Sequence, residues 1–115
     1  MNSIKILLAL LFTVGVASAQ TSHSVTLTWT QSTDPVTGNQ VARGGVSGGP
    51  YTIIACIAPG TTYVDNTVTA GSTYYYVVDA IEGTCSAPTA VSINSNEVKT
   101  VIPLSPPSAL SAVAK

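Results

Sequence analysis

One run constrains this chain more than any other: Ala70-Gly71-Ser72-Thr73-Tyr74-Tyr75-Tyr76-Val77-Val78-Asp79-Ala80-Ile81. Aromatic and β-branched residues dominate it, and it opens on a glycine turn. Side chains of that kind pack well on a pleated surface and lose rotamer freedom in a helix. Period-two alternation places Tyr74, Tyr76, Val78 and Ala80 on one face, and Tyr75, Val77, Asp79 and Ile81 on the other. Bulk on both faces predicts a strand central in its sheet, so the rest of the chain must supply neighbours on each side.

It does so with more short strands. Ser24-Val25-Thr26-Leu27-Thr28-Trp29-Thr30 alternates strictly, with Val25, Leu27 and Trp29 facing a core and hydroxyl residues facing water. Trp29 is therefore expected in the core, not as a binding platform. Residues 31–38 read as a loop, 40–43 as a short strand, and the glycine-rich stretch 44–50 as a mobile turn. Residues 51–57 and 61–65 are strand-like about an Ala58-Pro59-Gly60 turn. Residues 82–90 read as a loop, and the last strand is expected around 96–101. Helical periodicity is absent beyond the first segment. Six or so short strands at close spacing, separated by Gly and Pro turns, predict an all-β sandwich.

The first segment is of another kind. Lys5 is followed by an apolar run to about Val16 and then by Ala17-Ser18-Ala19. One positive charge, a short apolar core and an Ala-x-Ala site predict a signal peptide over residues 1–19. The run is shorter than the roughly 20 residues of a membrane span. Residues 20–102 then form one small domain, and 103–115 a proline-rich spacer and tail. The expected address is secreted, extracellular or periplasmic, with no membrane span in the mature chain. Only 8% of residues are charged, and the basic ones, Arg43, Lys99 and Lys115 after the signal, are scattered. That argues against a nucleic-acid partner. It also leaves sheet edges with little charge to protect them.

Several segments in order resemble a fibronectin type III domain of the bacterial secreted sort. They are Leu27-Thr28-Trp29, Val41-Ala42-Arg43, Ser47-Gly48-Gly49-Pro50-Tyr51, Thr62-Tyr63-Val64-Asp65, Gly71 to Val78, and Ser95-Asn96-Glu97-Val98. The resemblance implies an immunoglobulin-like two-sheet sandwich with these segments as strands B, C, C′, E, F and G. It puts Trp29 at the core tryptophan of strand B, with Tyr76 and Val78 facing it. Tyr74 falls at the tyrosine-corner position, where the hydroxyl bonds backbone across a crossing loop. Two departures stand out. Strand C carries Asn39 and Ala42 where relatives carry aromatics, which implies a thinner core on that side. Strand A is missing at the start, since only residues 20–23 lie between the cleavage site and strand B.

The tail resembles that missing element. After Pro103-Leu104-Ser105-Pro106-Pro107, residues 108–115 alternate, with Leu110 and Ala112 on one face and Ser111 and Val113 on the other. A segment of prolines and then a short strand is how a following domain of the family begins. Docking on its own domain requires a climb back along the sandwich. The five-residue spacer reaches at most about 3.3–3.6 Å per residue, roughly one strand length with no slack for the turn. Parallel self-docking, a disordered tail and a fragment of a longer domain array are the alternatives to donation to a second molecule. Head-to-tail donation is open-ended and gives fibres.

Cys56 and Cys85 in an exported chain suggest a disulfide, with free thiols or an intermolecular bond as the alternatives. The family topology favours the intrachain bond, because strands C′ and F deliver both residues to one pole. No catalytic constellation is legible. His23, the single histidine, sits at the edge of the expected domain; Asp65, Asp79, Glu82 and Glu97 lack metal-loop spacing; and Gly44–Gly49 is followed by no phosphate-binding lysine. The expectation is therefore no enzyme, no cofactor and no metal. A structural or protein-interaction module, with a protein or itself as partner, is the first reading. A polysaccharide-binding accessory module is the second, with Tyr51, Tyr63 and Tyr75 as rings for stacking and Tyr75 with Val77 as an outer-face apolar patch.

Overall fold

The structure is a computed structural model that describes residues 22–115. The expected signal peptide, residues 1–19, lies outside the described residues. His23–Leu104 forms one compact unit, and residues 105–115 fall outside it.

The described chain is all strand and connection. In order come β1 (Val25–Thr28), β2 (Gly38–Gly44), β3 (Thr52–Ile57), β4 (Thr62–Asp65), β5 (Thr73–Gly83), β6 (Pro88–Val91) and β7 (Val98–Val101). β1 and β4 make a two-stranded sheet. The second sheet runs β3-β2-β5-β6, with β7 also paired to β5. Every ladder is antiparallel. β5, the run that most constrained the sequence, is the hub: β2 lies along one side, and β6 and β7 share the other.

The core forms where the alternating faces meet. Val25 and Leu27 from β1 pack with Val41, Tyr76 and Ile102, and Trp29, Tyr63, Tyr74 and Val78 lie against them, half-buried. Tyr76 is the largest fully buried side chain, at 1% exposure. The other face of β5 is also covered: Val77 and Ile81 are 4% and 2% exposed. Val77 therefore forms no surface patch with Tyr75.

Two expectations on the connections are corrected. Residues 82–90 are a hairpin and not a loop: β5 continues to Gly83 and β6 starts at Pro88. Gly83 takes φ +85° at a register shift, and Ala87 N–H donates to both Thr84 O and Thr84 Oγ1, which closes the turn. The last strand lies where expected, at Val98–Val101, but the extra strand β6 precedes it, with residues 92–97 unladdered between the two. There Ser92 and Ser95 replace the missing backbone partners. Their Oγ atoms accept Ala80 N–H and Val78 N–H, each at 2.9 Å, while their own N–H groups donate back to Ala80 O and Val78 O. The glycine-rich turn after β2 is held. Glu97 accepts Ser47 Oγ–H and Gly48 N–H, both at 2.7 Å, and the Tyr51 hydroxyl.

The Cys56–Cys85 disulfide is present, with Cα atoms 6.0 Å apart. It ties the end of β3 to the β5–β6 turn across the width of the sheet. Residues 102–115 belong to no strand. Ile102 is nevertheless buried at 3% exposure, and it exchanges backbone hydrogen bonds with Gly71 and Ser72. Beyond it, Leu110 and Val113 are 95% and 85% exposed.

Candidate functional site

Among the described residues, the polar groups inside the sandwich are engaged in holding its strands and loops together. Asp65 is 1% exposed at the end of β4. Its carboxylate accepts from the Arg43 guanidinium at 2.8 Å, the Tyr76 hydroxyl at 2.7 Å, and both N–H and O–H of Thr67. Burial by itself would raise its pKa. The donors from Thr67, Tyr76 and Arg43 outweigh that and lower it to about 2. Burial, together with the same contact, pushes the Tyr76 hydroxyl well above its ordinary value. Arg43 completes the cluster by lying 4.7 Å over the Tyr74 ring. A carboxylate with this many donors is locked as an anion and has no vacant lone pair for a substrate. The cluster joins the two sheets.

Asn39 does the same at the other end of β2. It is 2% exposed and forms a reciprocal amide pair with Gln31, Nε2 to Oδ1 at 2.7 Å and Nδ2 to Oε1 at 3.1 Å. Asn39 also receives Gly60 N–H and donates to Asp79 O. The expected thinning at Asn39 is thus filled by a satisfied polar network, which is why a buried amide is tolerated there.

Tyr74 sits at the expected corner, its hydroxyl accepting Thr69 N–H at 3.0 Å. The rings considered for stacking are not brought together. Tyr51 is engaged by Glu97, Tyr63 packs on the core, and Tyr75 lies half-buried on the outer face of β5. Among the described residues there is no group of three or more His, Cys, Asp and Glu side chains placed to hold a metal ion. No helix among them is long and apolar enough to cross a membrane.

What remains is an open flank. Among the described residues β1 pairs only with β4. Trp29 N–H donates to Thr61 O, so the odd residues of β1 face β4, and alternation turns the N–H and C=O of Thr26 and Thr28 away from it. Next to that bare edge lies a cleft of about 300 Å³ lined by Leu27–Thr30, Tyr76–Val78, Ser95, Asn96 and Val98. It shares the lining residues Trp29, Thr30, Val78 and Ser95 with a second cleft, of about 160 Å³, that reaches Asn39 and Ser92–Ser95. Apolar side chains stand uncovered on this flank, Ile93 at 92% and Val98 at 41% exposure. The indole Nε1–H of Trp29 is buried and meets no acceptor among the described residues. An orphan donor of that kind costs about 1–3 kcal/mol. Sequence reasoning expected the uncovered edge of strand B, but the Asp65, Glu97 and Asn39 networks escaped it.

Two antiparallel sheets packed around a shared core, with a tyrosine corner and a half-buried tryptophan just after β1, define an immunoglobulin-like sandwich. Solved structures agree. The crystal structure of an Fn3-like protein from Clostridium thermocellum is 33% identical, over 74% of this chain and 82% of that one, with a TM-score of 0.61. The chain belongs to the fibronectin type III family. The sixth fibronectin type III domain of human fibronectin type III domain containing protein 3, at 22% identity and a TM-score of 0.59 over 82% of this chain and 85% of that one, shares the fold. Among curated proteins, an amylopullulanase of Thermoanaerobacterium saccharolyticum is 39% identical over 67 residues, which is 58% of this chain. The chain covers 5% of that enzyme's length. No protein-family model matches the chain.

Proposed function

We propose that this chain is a secreted, non-catalytic interaction module whose own C-terminal segment links copies head to tail. The observation that carries the reading is the bare β1 edge beside an open cleft, in a molecule whose exposed tail alternates like a strand. The polar clusters support it from the other side, since each one is consumed in holding strands or loops. Secretion rests on the leader-like residues 1–19 and on the Cys56–Cys85 disulfide, a bond that persists in oxidising compartments. Light scattering on the eluting protein, with and without residues 108–115, tests the assembly. The reading expects mass to rise with concentration only when those residues are present, and a monomer at all concentrations contradicts it.

A second reading, an accessory module in a polysaccharide context, is favoured by the match to part of a carbohydrate-active enzyme. Retention on insoluble polysaccharide that is lost in Tyr75→Ala would support it over the first.

A further inference from the structure

We infer that the acceptor for the tail is the β1 edge of a second copy, filled antiparallel with Leu110 opposite Trp29, Ser111 opposite Thr28, Ala112 opposite Leu27 and Val113 opposite Thr26. The inference rests on the head-to-tail reading above and assigns its site, polarity and register. Four observations converge on it. The backbone groups of Thr26 and Thr28 that face away from β4 are the ones an added strand would pair. Alternation then sends Leu110 and Ala112 inward, into the cleft lined by Leu27, Trp29, Tyr76 and Val78, and leaves Ser111 and Val113 outside. Every existing ladder is antiparallel, and the new one keeps that rule. Finally, Trp29 lines the same cleft, and its buried indole N–H has no acceptor among the described residues.

The donor is a second copy because of where the chain leaves the sandwich. Ile102, bonded to Gly71 and Ser72 and packed with Val25, fixes the exit at the pole where β1 begins. An antiparallel partner of β1 must enter at the opposite pole, beside Trp29. Residues 103–107 span at most about 3.3–3.6 Å each, which leaves no length for the climb and the reversal. A neighbour stacked on the exit pole presents its Trp29 end with no climb at all.

The test is a complementation between two crippled full-length chains, followed by sedimentation velocity. Leu110→Asp removes the donor at a fully solvated position. Thr28→Pro removes the outward N–H of the acceptor and leaves the inward ladder intact. Val98→Asp, at the rim of the cleft, serves as acceptor variant should the proline disturb folding. Each variant alone is expected to stay monomeric at concentrations where the parent chain assembles. An equimolar mixture of donor and acceptor variants is expected to give one-to-one dimers that grow no further, because only one contact can form. Trp29, the single tryptophan, reports docking by a blue shift on mixing. Assembly that survives Leu110→Asp or both acceptor variants, or a mixture that stays monomeric, overturns this site while leaving head-to-tail association standing. A parent chain that never assembles overturns both.

Discussion

Asp65 shows how a single residue ties the two sheets together. Its donors come from β2, from β5 and from the turn just after it, so the anion is the point where three parts of the chain agree. Replacing it by Asn keeps the shape and removes the charge, leaving Arg43 without its partner. Because the Arg43 side chain is 23% exposed, the loss falls below that of a fully buried pair. Asp65→Asn is expected to cost about 2–3 kcal/mol, read as a lower urea midpoint at unchanged slope. The pH dependence has a definite sign. The folded pKa, about 2, lies below the reference value of 3.8, so the stabilisation is complete above pH 4 and is lost as pH falls toward 2. Acid titration of unfolding should show that loss, on the order of 2 kcal/mol, and Asp65→Asn should flatten it. A profile equally steep in the variant would assign the acid sensitivity to another carboxylate.

Elements of this fold were legible where alternation was strong and hidden where side chains stand in for backbone. β5 and β1 followed from period two alone, since both faces of one and one face of the other had to be covered. The split between β6 and β7 did not, because Ser92 and Ser95 look like ordinary surface hydroxyls in sequence yet complete the β5 ladder. The clamp of Glu97 on Ser47, Gly48 and Tyr51 was equally invisible, since its members lie far apart in the chain. The open flank was partly legible: residues 20–23, just ahead of β1, carry no strand pattern, whereas the cleft and the orphaned indole depend on tertiary packing. Substituting both serines by Ala leaves Val78 and Ala80 N–H without acceptors and should cost about 1–2 kcal/mol. The loss should appear as faster exchange of those two amides ahead of the rest of β5. Reducing Cys56–Cys85 opens a crosslink between residues 29 apart in sequence, which lowers stability by about 3–4 kcal/mol on the chain-entropy account. Thermal unfolding with and without reductant measures it, and an unchanged midpoint would contradict a structural role for the bond.

At the scale of the whole molecule, the described residues leave the sandwich finished on one side and open on the other. Low surface charge removes the usual protection of a bare edge. The flank between β1 and the β6–β7 break combines unpaired backbone, a cleft and uncovered Ile93 and Val98, and the polar clusters elsewhere are closed on themselves. On the proposed reading, a module built this way acts through strand addition. Amide exchange of Thr26 and Thr28 tests that claim most directly, because those N–H groups have no ladder partner among the described residues and gain one when the edge is filled. Exchange that slows as protein concentration rises, and returns to fast in Leu110→Asp, is the predicted result. Exchange at Thr26 and Thr28 that is independent of concentration and of Leu110 would contradict it.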